Sequence, residues 1–359
     1  MPSHITHLVF AEDMVTRCFG TDHPFLREHG SIFALGAQGP DIFYHNQRTM
    51  PTAIYYGVLL HRHGYGKFCA HLVDFAMREH LDFHSAEGAF IAAYITHAVL
   101  DRYTHPFINY FSGWPDPEDK STERFRSMHP FFERIIDLFV LSRFRGITVN
   151  DYDFAGRVSC GDDAPRLVSR IQRLALSESY RRARNDESLA ERLRNAYSDA
   201  MGYYRYSNTI TPDRLAEGLR REKLGDIGPR WLAILHPISL LPDIDYLNEA
   251  GSVWFEPCEE GERTSASFWD LYREAGTECS AALSQLERAW SGNLELFGQS
   301  DSLESAIGNG GLSDRSGRTS PCTKSRSSPL PLSELLTHLR RRIVEDDLPD
   351  APPVLPRNG

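Results

Sequence analysis

The sequence predicts an all-α protein built from many helices. Apolar residues recur at helical spacing through much of its 359 residues, as they do at Ile54, Val58 and Leu59. Glycine and proline separate these segments, which is typical of turns between helices. Few stretches alternate apolar and polar residues over the length of a strand. We therefore expect a multi-helical domain with few strands.

Residues 1–150 contain five segments with this helical spacing. They are residues 4–18, 52–64, 68–80, 85–105 and 121–142. Ser85 is a suitable N-cap for the fourth helix, and Pro106 should end it because proline lacks the amide hydrogen that a helix interior needs. Pro130 lies inside the fifth segment, so that helix could instead begin there, where the missing amide costs nothing.

Differences in composition divide residues 151–359 into three segments. Residues 151–298 are expected to continue the same domain as helices, with an irregular packed stretch at 231–257. Within it, residues 252–255, which contain three apolar side chains, could form a lid or a patch that touches a membrane, although apolar neighbours are common without a function. Residues 299–331 are rich in Ser, Gly, Arg and Pro, and we expect a disordered linker there. Residues 332–359 should form a short helix and a proline-rich tail.

The net charge and the distribution of histidine limit the classes of function that the chain could have. The formal net charge of −10 opposes unaided binding to the phosphate backbone of nucleic acids. Thirteen of the 15 histidines lie between His4 and His129, and histidine is the commonest metal ligand near neutral pH. The six cysteines form no C-x-x-C pair, so neither a zinc ribbon nor a compact disulfide framework is expected.

Two features bear on cellular location. The N-terminal residues show no basic stretch followed by an apolar core, so we expect no signal peptide. We also find no apolar run in the sequence that reaches the roughly 18–20 residues needed to span a bilayer. The expected location is cytoplasmic, and any contact with a membrane would be peripheral.

Three polar residues within the fourth segment give the strongest functional signal. His97, Asp101 and His105 follow one another at intervals of four, so all three lie on one stripe of the helix. Histidine and aspartate are ligands that zinc accepts. A single pair with this spacing would be an ordinary pair of helix neighbours. Three together on an otherwise apolar face need polar partners or a metal.

Two further motifs contain histidine or carboxylate residues that could bind a metal. His129 and Glu133 are again four residues apart and are embedded in apolar residues. Asp41 follows two glycines and a proline, which would allow a tight approach to a shared site. Each motif alone also has a structural explanation, as helix neighbours or as a carboxylate that caps the next helix.

The remaining candidates lie near the first two helices. In the segment around His61 and His63, only one imidazole can readily face the same site, because successive residues are about 100° apart. We favour His61 and keep His63 as the alternative. At the N-terminus, removal of Met1 would expose the amine of Pro2, with His7 about one and a half turns further along.

The order of these motifs resembles that of a known family. An N-terminal His, Gly-Pro-Asp, His, His-x-x-x-Asp-x-x-x-His and His-x-x-x-Glu succeed one another within about residues 1–145. This order is similar to that of the bacterial zinc-dependent phospholipase C family, whose helical fold and trinuclear zinc site are shared with single-strand nucleases. The resemblance implies a helical domain of the phospholipase C and nuclease type with a helical C-terminal extension.

The resemblance also implies a set of ligands for zinc. One ion would be held by Asp41, His61, His97 and Asp101, with Asp101 bridging to another ion. A second ion would be held by His105, His129 and Glu133. A third would be held by His7, Asp101 and the amine and carbonyl of Pro2. The family has a tryptophan at its mature N-terminus where this chain has Pro2, so we expect two or three zinc ions.

The expected function is hydrolysis of a phosphodiester, with a phospholipid as a candidate substrate. A zinc-bound hydroxide would attack phosphorus in line, with Asp41 orienting or deprotonating the nucleophile. One alternative is a zinc-dependent nuclease or another phosphoesterase, and nucleic acid is disfavoured by the negative charge. Another is a non-catalytic binding protein whose helical scaffold is stabilised by zinc. The oligomeric state is not indicated by the sequence.

Overall fold

The protein is predominantly helical, which confirms the all-α class. The computed structural model describes residues 4–161, 164–224, 231–257, 263–298, 301–313, 315, 327–352 and 355, except for the side chains of 164–168 and 223–224. Within these residues, strands are limited to one antiparallel pair, β1 (Trp254–Phe255) and β2 (Arg263–Thr264). We find among them no helix with both the length and the apolar character needed to cross a bilayer.

The α-helices follow one another along the whole described chain. They are α1 (His4–Phe19), α2 (Pro24–Arg27), α3 (Gly30–Ala37), α4 (Ile54–Arg62), α5 (Tyr65–Arg78), α6 (Ala86–Ser112), α7 (Met128–Phe144), α8 (Phe154–Arg157), α9 (Ala164–Ser179), α10 (Arg181–Arg184), α11 (Leu189–Ser207), α12 (Pro212–Leu224), α13 (Phe268–Trp290), α14 (Leu303–Ile307) and α15 (Leu332–Glu345). Short 3-10 helices lie at Gly39–Phe43, Lys120–Phe125, Val149–Asp151 and Trp231–Ile234.

Helix α6 is the central element of the fold. It is buried on nearly all sides, and α1, α3, α5, α7 and α13 pack against it. A helix in this position needs apolar residues around most of its circumference, and its sequence provides them. The Ser85 hydroxyl accepts a hydrogen bond from the Gly88 amide at 3.2 Å, as expected of its N-cap.

The prediction that Pro106 ends α6 was wrong. The helix continues through Pro106 to Ser112, and its last turns bury Phe107 and Phe111. These rings pack on Trp254, which is itself fully buried. Burial of this aromatic cluster outweighs the lost backbone hydrogen bond, so packing overrides the local preference of proline. Trp254 is thus part of the core rather than an exposed residue of a lid.

Part of the stretch expected to be a disordered linker is ordered. Residues 301–313 contain α14 and bury Leu303, Ile307 and Leu312 almost completely. The serine and glycine content of this stretch suggested disorder, but three apolar side chains are enough to anchor a short segment to the core. Of the remainder of 299–331, the structure describes only Arg315 and residues 327–331.

Candidate metal centre

The three polar residues of α6 meet at one carboxylate. The Nε2 atom of His97 lies 3.3 Å from Oδ2 of Asp101, and Nε2 of His105 lies 3.5 Å from Oδ1. All three side chains are at least nine-tenths buried. The common stripe expected from their spacing therefore faces the protein interior, with Asp101 between the two imidazoles.

Asp41 and His61 reach this carboxylate from the next elements. Asp41 lies in the 3-10 helix Gly39–Phe43, and its Oδ1 is 3.0 Å from Nε2 of His61. The same nitrogen is 3.7 Å from Oδ2 of Asp101. Gly39 permits this arrangement: its φ is +53°, and a Cβ at this position would lie 2.4 Å from Cγ of His97. Asp41, His61 and His97 form a group that could hold a metal ion.

A second group of candidate ligands lies near Oδ1 of Asp101. On α7, Nε2 of His129 is 3.1 Å from Oε1 of Glu133. That oxygen is also 3.7 Å from Nε2 of His105, which is the histidine that faces Asp101 Oδ1. His105, His129 and Glu133 form a group that could hold a metal ion. Asp101 thus connects the two groups through its two oxygens.

His7 brings α1 to the same place. Its Nε2 atom lies 3.1 Å from Oδ1 of Asp101, and its ring stacks on His97 with centroids 4.1 Å apart. His7, His97 and Asp101 form a third group that could hold a metal ion. Pro2, the expected terminal ligand, lies outside the described residues.

Four of the histidines are held by a carbonyl oxygen at the ring nitrogen that faces away from the centre. The Nδ1 contacts are His61 to Gly57 O (2.8 Å), His97 to Ala37 O (3.3 Å), His105 to Leu312 O (3.0 Å) and His129 to Asn109 Oδ1 (3.1 Å). A carbonyl only accepts, so each Nδ1 carries the hydrogen. In the neutral ring, the Nε2 lone pair is then directed at the centre, as in metal-binding histidines.

Several of the buried atoms that converge here have no hydrogen-bond partner among the described residues. Within the described residues, no partner of normal geometry is found for Nε2 of His61, His97 and His105, or for either oxygen of Asp101. A buried polar atom left in this state costs about 1–3 kcal/mol. Nitrogen lone pairs and carboxylate oxygens facing one another need a positive charge between them, and bound cations would supply it.

The carboxylates favour their charged form. Burial alone would raise the pKa of Asp101, but the nearby His105 and His97 hold it well below its usual range. Burial also opposes ionisation of Glu133, yet its pKa is lowered by His129. Conversely, burial would lower the pKa of His105, but Asp101 and Glu133 outweigh it and raise the pKa to about 9. The negative charge of these carboxylates therefore favours positive charge in the site, carried by protons or by metal ions.

No protein-family model, curated protein or solved structure matches this chain. What can be said of its function therefore rests on the geometry of this centre. Several buried groups of histidine and carboxylate side chains could hold metal ions, and three of these groups lie around Asp101. The likeness to zinc-dependent phospholipases C stays an expectation from the sequence.

The structure separates the two neighbouring histidine candidates. His61 faces Asp41 and Asp101, whereas His63 is exposed and lies beside Tyr180, with ring centroids 6.1 Å apart. The helical angle between them indicated only that one of the two could face the centre. In the structure α4 ends at Arg62, and His63 lies beyond the helix. His63 is not brought to the centre.

Sequence reasoning missed the residues that accept hydrogen bonds from Nδ1 of His105 and His129. Asn109 lies one turn after His105 on α6 and contacts His129, a relation that helical spacing could have suggested. The Leu312 carbonyl could not have been found, because a main-chain oxygen carries no sequence signature.

A buried network beside the centre was also missed. Asp137 accepts hydrogen bonds from the Thr6 amide and hydroxyl at 2.8 Å, and its other oxygen is 3.0 Å from Nε2 of His236. Arg134 contacts both Asp137 and His4. This network ties the first turn of α1, which carries His7, to α7, which carries Glu133. Its arginine already supplies the positive charge that its carboxylate needs.

Proposed function

We propose that this protein is a zinc-dependent phosphodiester hydrolase of the phospholipase C type. The observation that supports this most is the position of Asp101 between two groups of ligands. Its Oδ2 faces His97 and His61, while its Oδ1 faces His105 and His7. A carboxylate in this position can bridge two metal ions, and pairs of metal ions catalyse phosphate ester hydrolysis in several classes of enzyme.

The donor set suits zinc among the common metals. Imidazole nitrogens and single carboxylate oxygens are ligands that zinc binds in groups of three or four. Magnesium and calcium prefer sites made almost entirely of oxygen atoms, and histidine predominates here. The carbonyl partners behind His61, His97, His105 and His129 would fix the orientation of these ligands.

Bound zinc ions would supply an activated water and positive charge for the phosphoryl oxygens. The chain's own residues would place the reactants. Asp41 is a candidate to orient or deprotonate the attacking water, because its Oδ1 is directed into the centre without a hydrogen-bond partner in the described residues. Among the ligand candidates that the structure describes, His129 is the most accessible, with a side chain that is 26% exposed, and it marks the side from which substrate would approach.

The direct test is hydrolysis of bis(p-nitrophenyl) phosphate by the zinc-loaded protein. We expect turnover that is abolished by a chelator, restored by zinc and reduced at least about 100-fold in Asp41→Asn. Asp199→Asn is a matched control. Asp199 accepts hydrogen bonds from Asn46, Thr49 and the Arg48 amide at distances between 2.7 and 3.0 Å, and none of these partners is a candidate ligand.

The outcomes of this assay separate the competing functions. Zinc binding without any turnover would contradict the proposal and favour a zinc-stabilised binding protein. If turnover is found, phosphatidylcholine vesicles and single-stranded DNA should be compared as substrates at matched phosphodiester concentration. The net charge of −10 favours the lipid substrate. Cleavage of DNA alone would identify a nuclease instead.

A further inference from the structure

One residue far along the chain contacts both groups of the candidate metal centre. The main-chain amide of Leu312 donates a hydrogen bond to the His61 carbonyl at 2.9 Å. The carbonyl of the same residue accepts from Nδ1 of His105 at 3.0 Å. We call residues 301–313 the strap. Through Leu312 the strap joins α4 and α6 directly behind two of the candidate ligands.

The strap is held along its length by the beginning of α5. The Gly64 amide donates to the Asn309 carbonyl at 2.8 Å, and the Gly66 amide donates to the Gly308 carbonyl at 2.9 Å. At Gly66 the two backbones approach so closely that a Cβ would lie 2.3 Å from the Glu304 carbonyl oxygen. Glycine at this position is therefore needed for the strap to dock as it does.

A buried cation also fastens the strap to α6. The Arg102 guanidinium donates to the carbonyls of Ile307 and Gly308, the latter at 3.0 Å. Arg102 follows Asp101, so the residue next to the bridging carboxylate holds the strap. Three strap side chains complete the attachment, since Leu303, Ile307 and Leu312 are at most 1% exposed. The strap is thus docked by apolar burial as well as by hydrogen bonds.

His105 depends on the strap in a way that the other histidines do not. His61 is held by Gly57 of its own helix, and His97 by Ala37 at the end of α3. The partner of His105 comes from a segment 207 residues later in the sequence. Without the strap, the His105 ring would lose the acceptor that fixes its tautomer and its orientation.

We propose that the strap is a positioning element of the metal centre, and that its docking and metal binding at His105, His129 and Glu133 strengthen each other. This inference rests on the metal-binding part of the proposed function and does not need the hydrolytic part. Because the coupling is reciprocal, displacing the strap should weaken this ion, and binding the ion should hold the strap in place. Metal binding by Asp41, His61 and His97 should be affected less. Leu312 contacts the main-chain carbonyl of His61 and not its imidazole.

The first test displaces the strap without touching a ligand. Gly66→Ala would place a methyl group against the Glu304 carbonyl, whereas Gly30→Ala, also in a helix, has no atom within 4 Å of the added carbon and is the matched control. Zinc affinity is measured by competition with a chromophoric chelator. We expect Gly66→Ala to bind one ion about 10–100-fold more weakly than wild type, and Gly30→Ala to bind all ions normally. Equal affinities in both variants would overturn the proposal.

A second pair of variants covers the case in which Gly66→Ala does not fold. Leu312→Ala removes the side chain that anchors the strap, and Leu335→Ala removes an equally buried leucine from α15. Only the first should weaken one ion and alter the visible absorption of the cobalt-substituted protein, which reports ligand geometry. The same loss of affinity in both variants would indicate general destabilisation and would overturn the proposal.

The reciprocal effect is measured by hydrogen exchange. In wild-type protein, zinc should slow amide exchange in the peptide that spans residues 303–312, including the Leu312 amide that donates to His61. An exchange rate unchanged by zinc would contradict the coupling. These results are independent of turnover: zinc-bound protein that fails to hydrolyse phosphodiesters would refute the hydrolase alone, whereas protein that binds no zinc would refute both.

Discussion

The Oδ2 atom of Asp101 lies 3.3 Å from the Nε2 atom of His97, one helical turn earlier, and both side chains are almost completely buried. Neither atom has a hydrogen bond of normal geometry within the described residues. Two groups that both present electron pairs are stable at this distance only with a proton or a cation between them. A similarly close approach to Asp101, at 3.1 to 3.7 Å, recurs at His7, His61 and His105, and it is the physical basis of the proposed metal centre.

If Asp101 bridges two zinc ions, its substitution should reduce zinc content and activity more than substitution of a ligand that contacts one ion. Asp101→Asn keeps the size of the side chain but removes its charge and one acceptor oxygen. We expect zinc content to fall by at least one ion per chain and phosphodiester hydrolysis to fall at least about 100-fold. Plasma mass spectrometry of the purified variant measures the metal, and Asp199→Asn should keep full metal content while losing about 1–3 kcal/mol of unfolding free energy.

His61 and His63 provide an internal comparison. His61→Ala should lose the ion held with Asp41 and His97, because Nε2 of His61 faces the carboxylates of Asp41 and Asp101. His63→Ala should keep wild-type metal content and activity, since His63 is exposed beside Tyr180. The measurement is metal content by plasma mass spectrometry together with turnover. The reverse result, with His63→Ala defective, would show that the ligand set is wrong.

Zinc binding should release protons at neutral pH. In the metal-free protein the pKa of His105 is raised to about 9, so this ring is protonated at pH 7.5. Zinc must displace that proton, whereas burial keeps the pKa of His129 low and its ring neutral. A pH-indicator dye in weak buffer should report more proton release at pH 7.5 than at pH 9.5. Apparent zinc affinity should rise with pH until about pH 9, and His105→Gln should reduce the release.

Because Gly39 lies close to the His97 ring, substitution of Gly39 should disturb the candidate metal centre. A Cβ at this residue would meet the His97 ring at 2.4 Å, and the φ of +53° is unfavourable for alanine. Gly39→Ala should therefore displace His97 and weaken zinc binding as well as reduce stability. Gly251→Ala separates the two effects, because Gly251 has a similar φ of +70° but no atom near the added carbon. It should cost stability alone, as measured by thermal unfolding and zinc titration.

Much of the fold and the convergence of the candidate ligands could be predicted from local sequence. The spacing of four between His97, Asp101 and His105 fixes their common stripe once a helix is assumed. The apolar surroundings of that stripe indicate that it is buried. Glycines before Asp41 indicate a close approach, which the contact of Gly39 with His97 explains. The convergence of these side chains is seen in the structure, and their service as zinc ligands stays a prediction.

Features that depend on distant packing could not be predicted. Helix α6 continues through Pro106 because the following turns bury aromatic rings against Trp254, which lies almost 150 residues further along the chain. The order of the strap depends on Leu303, Ile307 and Leu312, three apolar residues in a composition typical of disorder. Its key contact to His105 is made by a main-chain carbonyl, which any residue could provide.

The metal content of the purified wild-type chain tests the central claim most directly. Native mass spectrometry of protein loaded with zinc and then freed of excess metal should show two or three ions per chain. The count should return to zero after chelation, with a fall in melting temperature because ions that bind only the folded state stabilise it. A chain that retains no zinc, with a melting temperature unaffected by zinc or chelator, would contradict the account.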